Sequence, residues 1–95
     1  MKEVRVVIRS FADFRIILGA QMDVMLEQGR TLGDLLKVLS DRYDGLGEKV
    51  FDSGGRLSEE IEIIINGRNV GNAKNLAIEL HDGDQVFLFP SLAGG

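Results

Sequence analysis

The stretch Asp82-Gly83-Asp84-Gln85-Val86-Phe87-Leu88-Phe89-Pro90-Ser91-Leu92-Ala93-Gly94-Gly95 decides how the rest of the chain is read. Asp-Gly-Asp is a turn signal: short acidic side chains bond to nearby backbone, and glycine supplies the backbone freedom. Gln85 to Phe89 is then a strand rich in residues that favour pleated structure. Pro90 lacks an N–H and stops a strand from continuing. Beyond it come small residues and two glycines, whose backbone can enter a slot that a side chain would block. At roughly 3.4 Å per residue, the five residues after Pro90 reach about 17 Å. That is far enough to carry a carboxylate off a folded body and into another protein. Two glycines at the end of a sequence also read as a frayed terminus, so their meaning depends on what precedes them.

Working backwards, Asn66-Gly67 between two short apolar runs is a strong hairpin signal. It joins a strand at Ile61–Ile65, apolar enough to be central or well covered, to a return strand starting Arg68-Asn69-Val70. Leu76 to Leu80 forms a brief apolar segment of about one turn. Residues 44–60 contain Gly45, Gly47, Gly54 and Gly55 and no steady period, which predicts a long loop tacked down by Leu46, Val50, Phe51 and Leu57. These glycines do not form a nucleotide site, because Gly45-x-Gly47 lacks the third glycine of a dinucleotide fingerprint and Gly54-Gly55-Arg56 lacks a phosphate-loop lysine.

Ahead of that loop, Leu32, Leu35, Leu36, Leu39 and Tyr43 recur at helical spacing. Thr31-x-x-Asp34 resembles a capping box with Asp in the usual Glu place. Asp44-Gly45 ends the helix. Gln21 to Leu26 reads as a strand with Met22, Val24 and Leu26 on one face, closed by Gln28-Gly29-Arg30. Phe11 to Leu18 reads as a loop containing a helical turn. Val4, Val6 and Ile8 alternate with Arg5 and Arg9 in a half-buried strand over residues 2–9. Val7 interrupts that alternation, so the second face is partly covered too.

The predicted order is β-β-α-β-β-β, an α+β fold in which one main helix covers a mixed sheet of four to five strands. The helix stripe packs on Val4, Val6, Ile8, Ile63, Ile65, Val86 and Leu88. Alternation along the last strand then turns Phe87 and Phe89 to the opposite face, beside the tail. We expect residues 1–90 to form the domain and residues 91–95 a flexible tail.

Composition narrows the function. With 95 residues, one domain is expected. There is no cysteine, so disulfides, thiolate catalysis and cysteine metal sites are excluded. The single histidine, His81, reads as a surface residue. Asp82 and Asp84 supply too few oxygens for a hard cation, and no metal site is expected. A net charge of −4 argues against nucleic acid. No apolar run approaches a membrane span, and Met1-Lys2-Glu3-Val4-Arg5 is too charged for a signal peptide. A cytoplasmic location is the expectation.

This order of elements resembles the ubiquitin-like β-grasp sulfur carriers, in particular the MoaD family (the small subunit of molybdopterin synthase) and the related archaeal small modifier proteins. The residues that carry the resemblance are Phe11-Ala12 with Arg15 and Gly19, Thr31-Leu32 and Leu35-Leu36, Asn66-Gly67, and the block from Asp82-Gly83-Asp84 through Phe89-Pro90 to Gly94-Gly95. Where the family often has Pro-Pro, this chain has Pro90-Ser91. The resemblance implies that a separate ubiquitin-activating-type adenylating enzyme uses ATP to activate the Gly95 carboxylate. Sulfur attack then gives a thiocarboxylate, whose sulfur passes to a pterin precursor on the large subunit of molybdopterin synthase. Attack by a lysine of a target protein would instead give an isopeptide bond. On this reading the chain is not catalytic alone and binds no cofactor tightly. Gly95 is the reacting residue, and Ala93 and Gly94 pass through the partner's access slot. From their place beside the tail, Phe11, Phe87, Phe89, Pro90 and Leu92 are the candidate partner contacts, with core packing as the alternative for the three phenylalanines.

Overall fold

The structure is a computed structural model that describes residues 2–70 and 76–91. Its elements are β1 (Glu3–Ser10), α1 (Asp13–Leu18), β2 (Gln21–Glu27), α2 (Leu32–Arg42), α3 (Leu46–Val50), β3 (Ile61–Ile65), β4 (Arg68–Asn69) and β5 (Gln85–Pro90). The five strands form one mixed sheet in the order β2-β1-β5-β3-β4. β1 and β5 run parallel at its centre, and the other neighbours are antiparallel.

Alternation sets which face each strand buries. Val4, Val6 and Ile8 of β1, Val24 and Leu26 of β2, Ile61, Ile63 and Ile65 of β3, and Val86 and Leu88 of β5 all point inward and are buried. The expected helix α2 lies over this face. Leu32, Leu35, Leu36 and Leu39 are fully inaccessible to solvent. Each contributes about 1.5–3 kcal/mol relative to exposure. Tyr43 ends the helix as its C-cap, its N–H donating to the Leu39 carbonyl.

Two local devices match the sequence. The Thr31 hydroxyl accepts from the Asp34 N–H, and the Asp34 carboxylate accepts from the Thr31 N–H at 2.9 Å. This closes the capping box and satisfies two N–H groups that the helix cannot satisfy itself. Bonding to the Thr31 N–H holds the Asp34 carboxyl below its ordinary range, against an opposing effect of burial. At the hairpin, Asn66 and Gly67 both have positive φ (51° and 85°), as a tight two-residue turn requires. Gly33 has a reason beyond helix propensity: a Cβ there would approach the Leu76 carbonyl oxygen at 3.2 Å.

The 44–60 segment differs from expectation. It contains a short helix, α3, with Leu46 and Val50 buried one turn apart. A bridge between Phe51 and Leu57 pinches off the remaining turn. Inside it, Asp52 Oδ1 accepts from the Gly54 and Arg56 N–H groups. The glycines hid the helix: Gly45 sits at its N-cap with φ 84° and Gly47 lies within it. The anchors are as read, with Leu46, Val50 and Leu57 buried and Phe51 half-buried. Phe11–Leu18 is likewise more helical than expected, since α1 spans six residues.

Candidate functional site

β5 is held on both sides, by β1 and by β3. Its last residues are fixed beyond the formal ladders: the Phe11 N–H donates to the Leu88 carbonyl at 3.1 Å, and the Ser91 N–H donates to the Glu60 carbonyl at 2.9 Å. The segment leading into residues 92–95 therefore starts from an immobilised point. Leu92, Ala93, Gly94 and Gly95 lie outside the described residues.

An aromatic cluster covers the sheet's outer face beside this point. Phe87 and Phe89 point away from α2, as the alternation requires, and both are half-buried. Phe11 joins them from the turn after β1. Its ring stacks on Phe89 with centroids 4.4 Å apart and planes 6° from parallel. Phe11 and Phe87 are 6.0 Å apart and tilted. The turn that brings Phe11 over depends on Ala12, whose φ of 55° is unusual for a residue with a Cβ. Three aromatic rings at the edge of solvent, beside a shallow groove lined by Ala12, Ile64 and Pro90, form an apolar patch of the kind that marks partner sites.

Phe11, Phe87, Phe89 and Pro90 are thus brought together; alternation had placed Phe87 and Phe89 on this face, and the structure adds Phe11 to them. Ile64 and Ala12 were missed. The signal for Ile64 was available, because with Ile63 and Ile65 inward an apolar residue at 64 must face out. Nothing in the sequence marked Ala12 as strained.

A second cleft of about 570 Å³ opens at the root of the tail, lined by Asp13, Phe14, Lys49, Glu59, Glu60, Pro90 and Ser91. Lys49 Nζ donates to Asp13 Oδ2 across it. That bond holds the Asp13 carboxyl below its ordinary range, although burial opposes it. Asp13 Oδ1 is buried and makes no hydrogen bond of good geometry among the described residues. Sequence reading missed this pair, since 36 positions separate its members. Glu59, Glu60 and Glu62 read as a solvated charge run; Glu59 and Glu60 are exposed, whereas Glu62 is half-buried in β3 and accepts from Asn69 Nδ2.

The remaining polar candidates have structural employment. Asp82 Oδ1 accepts from the Arg5 N–H at 2.8 Å, and Asp84 accepts from the His81 N–H and from Asn66 Nδ2. His81 is exposed and lies 3.5 Å from Glu79. What the tail root offers is rigidity, an apolar landing surface and a charged cleft. These features suit binding and presentation of a chain end.

Comparison with known proteins agrees with that geometry. The ThiS family model matches residues 8–95. Small archaeal modifier protein 3 of Haloferax volcanii is 35% identical over 89 residues, covering 93% of this chain and 96% of that protein. The sulfur carrier protein CysO of Mycobacterium tuberculosis is 36% identical over 79 residues, 81% of this chain and 84% of its own. Among solved structures, a putative molybdopterin converting factor subunit 1 from Pyrococcus furiosus superposes with a TM-score of 0.76 at 32% identity, covering 94% of this chain and 99% of that one.

Proposed function

The chain belongs to the ThiS/MoaD family of ubiquitin-like sulfur carriers, and on that premise we propose that it carries sulfur as a thiocarboxylate on Gly95 and serves as the small subunit of a molybdopterin synthase. A carboxylate is a poor electrophile, because its charge is delocalised and its leaving group would be oxide. A separate adenylating enzyme joins the Gly95 carboxylate to the AMP portion of ATP and releases pyrophosphate. A sulfide-level nucleophile then attacks the acyl carbon, AMP departs, and one carboxylate oxygen leaves with it. The sulfur goes on to a pterin precursor held by the larger subunit.

The observation that carries this reading is the placement of Ser91. A chain end starting there, with sequence Leu92-Ala93-Gly94-Gly95, begins from a fixed point beside an apolar docking patch. Phe11, Phe87, Phe89, Pro90 and Leu92 engage the partner. Ala93 and Gly94 thread its slot, and the chain itself contributes no catalytic group and holds no cofactor. Likeness to the molybdopterin converting factor subunit supports the pterin acceptor. Likeness to small archaeal modifier protein 3 favours a second reading, in which a target lysine attacks activated Gly95 to form an isopeptide bond.

Incubation with a ubiquitin-activating-type adenylating enzyme, ATP and sulfide, followed by intact mass, tests the shared step. Replacement of one oxygen by sulfur on the C-terminal peptide is expected. Unchanged mass with an enzyme competent on its own partner would refute it. Lysine-linked adducts in a lysate, without transfer of sulfur to a pterin precursor, would assign the modifier role instead. Gly94→Ala is expected to keep the fold and slow activation at least tenfold, since an added methyl group obstructs the slot; wild-type kinetics would contradict the steric role of Gly94.

A further inference from the structure

Backbone bonds at the start of β3 govern how far β5 stays in the sheet. The Val70 N–H donates to the Ile63 carbonyl. Antiparallel ladders alternate, so Ile61, Ile63 and Ile65 direct their backbone groups toward the β4 side, and Glu62 and Ile64 direct theirs toward β5. Ile61 faces Pro90 in the register, at a position where no bond between the two strands is made. The missing proline N–H therefore takes nothing from the β3–β5 ladder, and Pro90 does not end it. The Ser91 N–H goes on to donate to the Glu60 carbonyl at 2.9 Å. A complete pair would return a second bond, from the Glu60 N–H to the Ser91 carbonyl.

That second bond is replaced. The Glu60 N–H donates to the Ser58 hydroxyl at 3.0 Å, the two-residue reach by which a serine side chain closes a local turn. Residues 59–60 accordingly form a turn and do not continue the strand. Ser58 is held in place for this contact. It is 9% exposed, and its own N–H donates to the Val50 carbonyl of α3 at 2.7 Å. The preceding Leu57 is buried and bridged to Phe51. A further ladder pair, two residues beyond Glu60, would need the Ser58 N–H as its donor. Both β3-side donors that could carry the ladder past Ser91 are thus engaged elsewhere.

We infer that Ser58 is a positioning residue: its hydroxyl ends the β3–β5 ladder at Ser91 and sets Leu92 as the first residue delivered to the partner. This gives the 44–60 segment a role, since α3 and the Phe51–Leu57 bridge seat Ser58 against the start of β3. With the stop in place, the four residues Leu92–Gly95 can enter a partner, a reach of about 14 Å. Pairing that ran on to set Ala93 against Ser58 would leave only Gly94 and Gly95, a reach of about 7 Å. Removing the hydroxyl strips the Glu60 N–H of its acceptor within the turn. A backbone donor left so takes another acceptor, and the register offers it the Ser91 carbonyl. The consequence for delivery rests on the thiocarboxylate reading, whereas the ladder stop itself does not.

The test measures NMR scalar couplings across hydrogen bonds in the full, isotope-labelled chain. The natural chain is expected to show a coupling between the Ser91 nitrogen and the Glu60 carbonyl carbon, and none between the Glu60 nitrogen and the Ser91 carbonyl carbon. Ser58→Ala should make the second coupling appear, and Ser58→Thr, which keeps the hydroxyl, should not. Ser58→Gly takes the place of Ser58→Ala if that variant does not fold. In pyrophosphate release with the adenylating enzyme, Ser58→Ala should raise KM for the chain roughly threefold or more at unchanged kcat, because fewer molecules present a binding-competent tail. Ser58→Thr should restore the original KM. The second coupling in the natural chain, or its absence from both hydroxyl-free variants, would overturn the ladder stop. A new coupling with unchanged KM would overturn the positioning role. The couplings need no partner enzyme, so the expected pattern in a chain that takes up no sulfur would support the stop and count against the thiocarboxylate reading alone.

Discussion

The two faces of β5 are built from the same class of residue and do different work. Val86 and Leu88 point inward and are completely buried against α2. Phe87 and Phe89, their immediate neighbours, point outward, stack with Phe11 and stay partly in contact with solvent. The inner pair has its full complement of neighbours within the domain. The outer pair has more apolar surface than the domain covers, and its neighbour in sequence is the tail. On the function proposed above, apolar residues on one strand divide into those that hold the fold and those offered to a partner, and unmet contacts tell them apart.

Substitution can break that division. Leu88→Ala leaves a cavity in a packed interior and should cost about 2–5 kcal/mol, read as a large fall in denaturation midpoint. Phe89→Ala should cost no more than about 1 kcal/mol at its half-solvated site, yet weaken binding to the adenylating enzyme by tenfold or more, measured by calorimetry. Equal losses of stability in the two variants would dissolve the distinction. Smaller changes sharpen it by showing that the inner side depends on local devices as well as bulk apolar contact. Thr31→Ala removes the cap of α2 and should cost about 1 kcal/mol without altering partner affinity.

Acid titration gives a related check. The folded-state Asp34 carboxyl is held below its ordinary value of 3.8. Its stabilisation is fully present above that value and is lost as pH falls through the lower folded value. Asp34→Asn should flatten the acid limb of the stability profile below about pH 4. Lys49→Ala should have the smallest effect, under about 1 kcal/mol, because both partners of its pair with Asp13 are substantially exposed.

Much of this was legible in the chain because the signals are local. Val4, Val6 and Ile8 announced a strand by alternation, Thr31 and Asp34 announced a helix start, and Asn66-Gly67 announced a hairpin. Alternation past Val86 and Leu88 was enough to turn Phe87 and Phe89 outward. What stayed hidden depends on distant residues or on weak patterns. α3 is five residues long, too short for a period to register. The parallel pairing of β1 with β5 joins residues nearly 80 positions apart, and no local pattern encodes it. The meeting of Lys49 with Asp13 follows from where α3 docks, and the turn at Ala12 from where Phe11 must go. The patch was therefore half readable: its phenylalanines could be placed, while the cleft next to them could not.

The most direct measurement compares the full chain with one ending at Ala93, each incubated with adenylating enzyme, ATP and sulfide and followed by intact mass and thermal melting. The account predicts that the two melt together and that only the chain bearing Gly94 and Gly95 exchanges an oxygen for sulfur. Equal sulfur uptake by the shortened chain would contradict it.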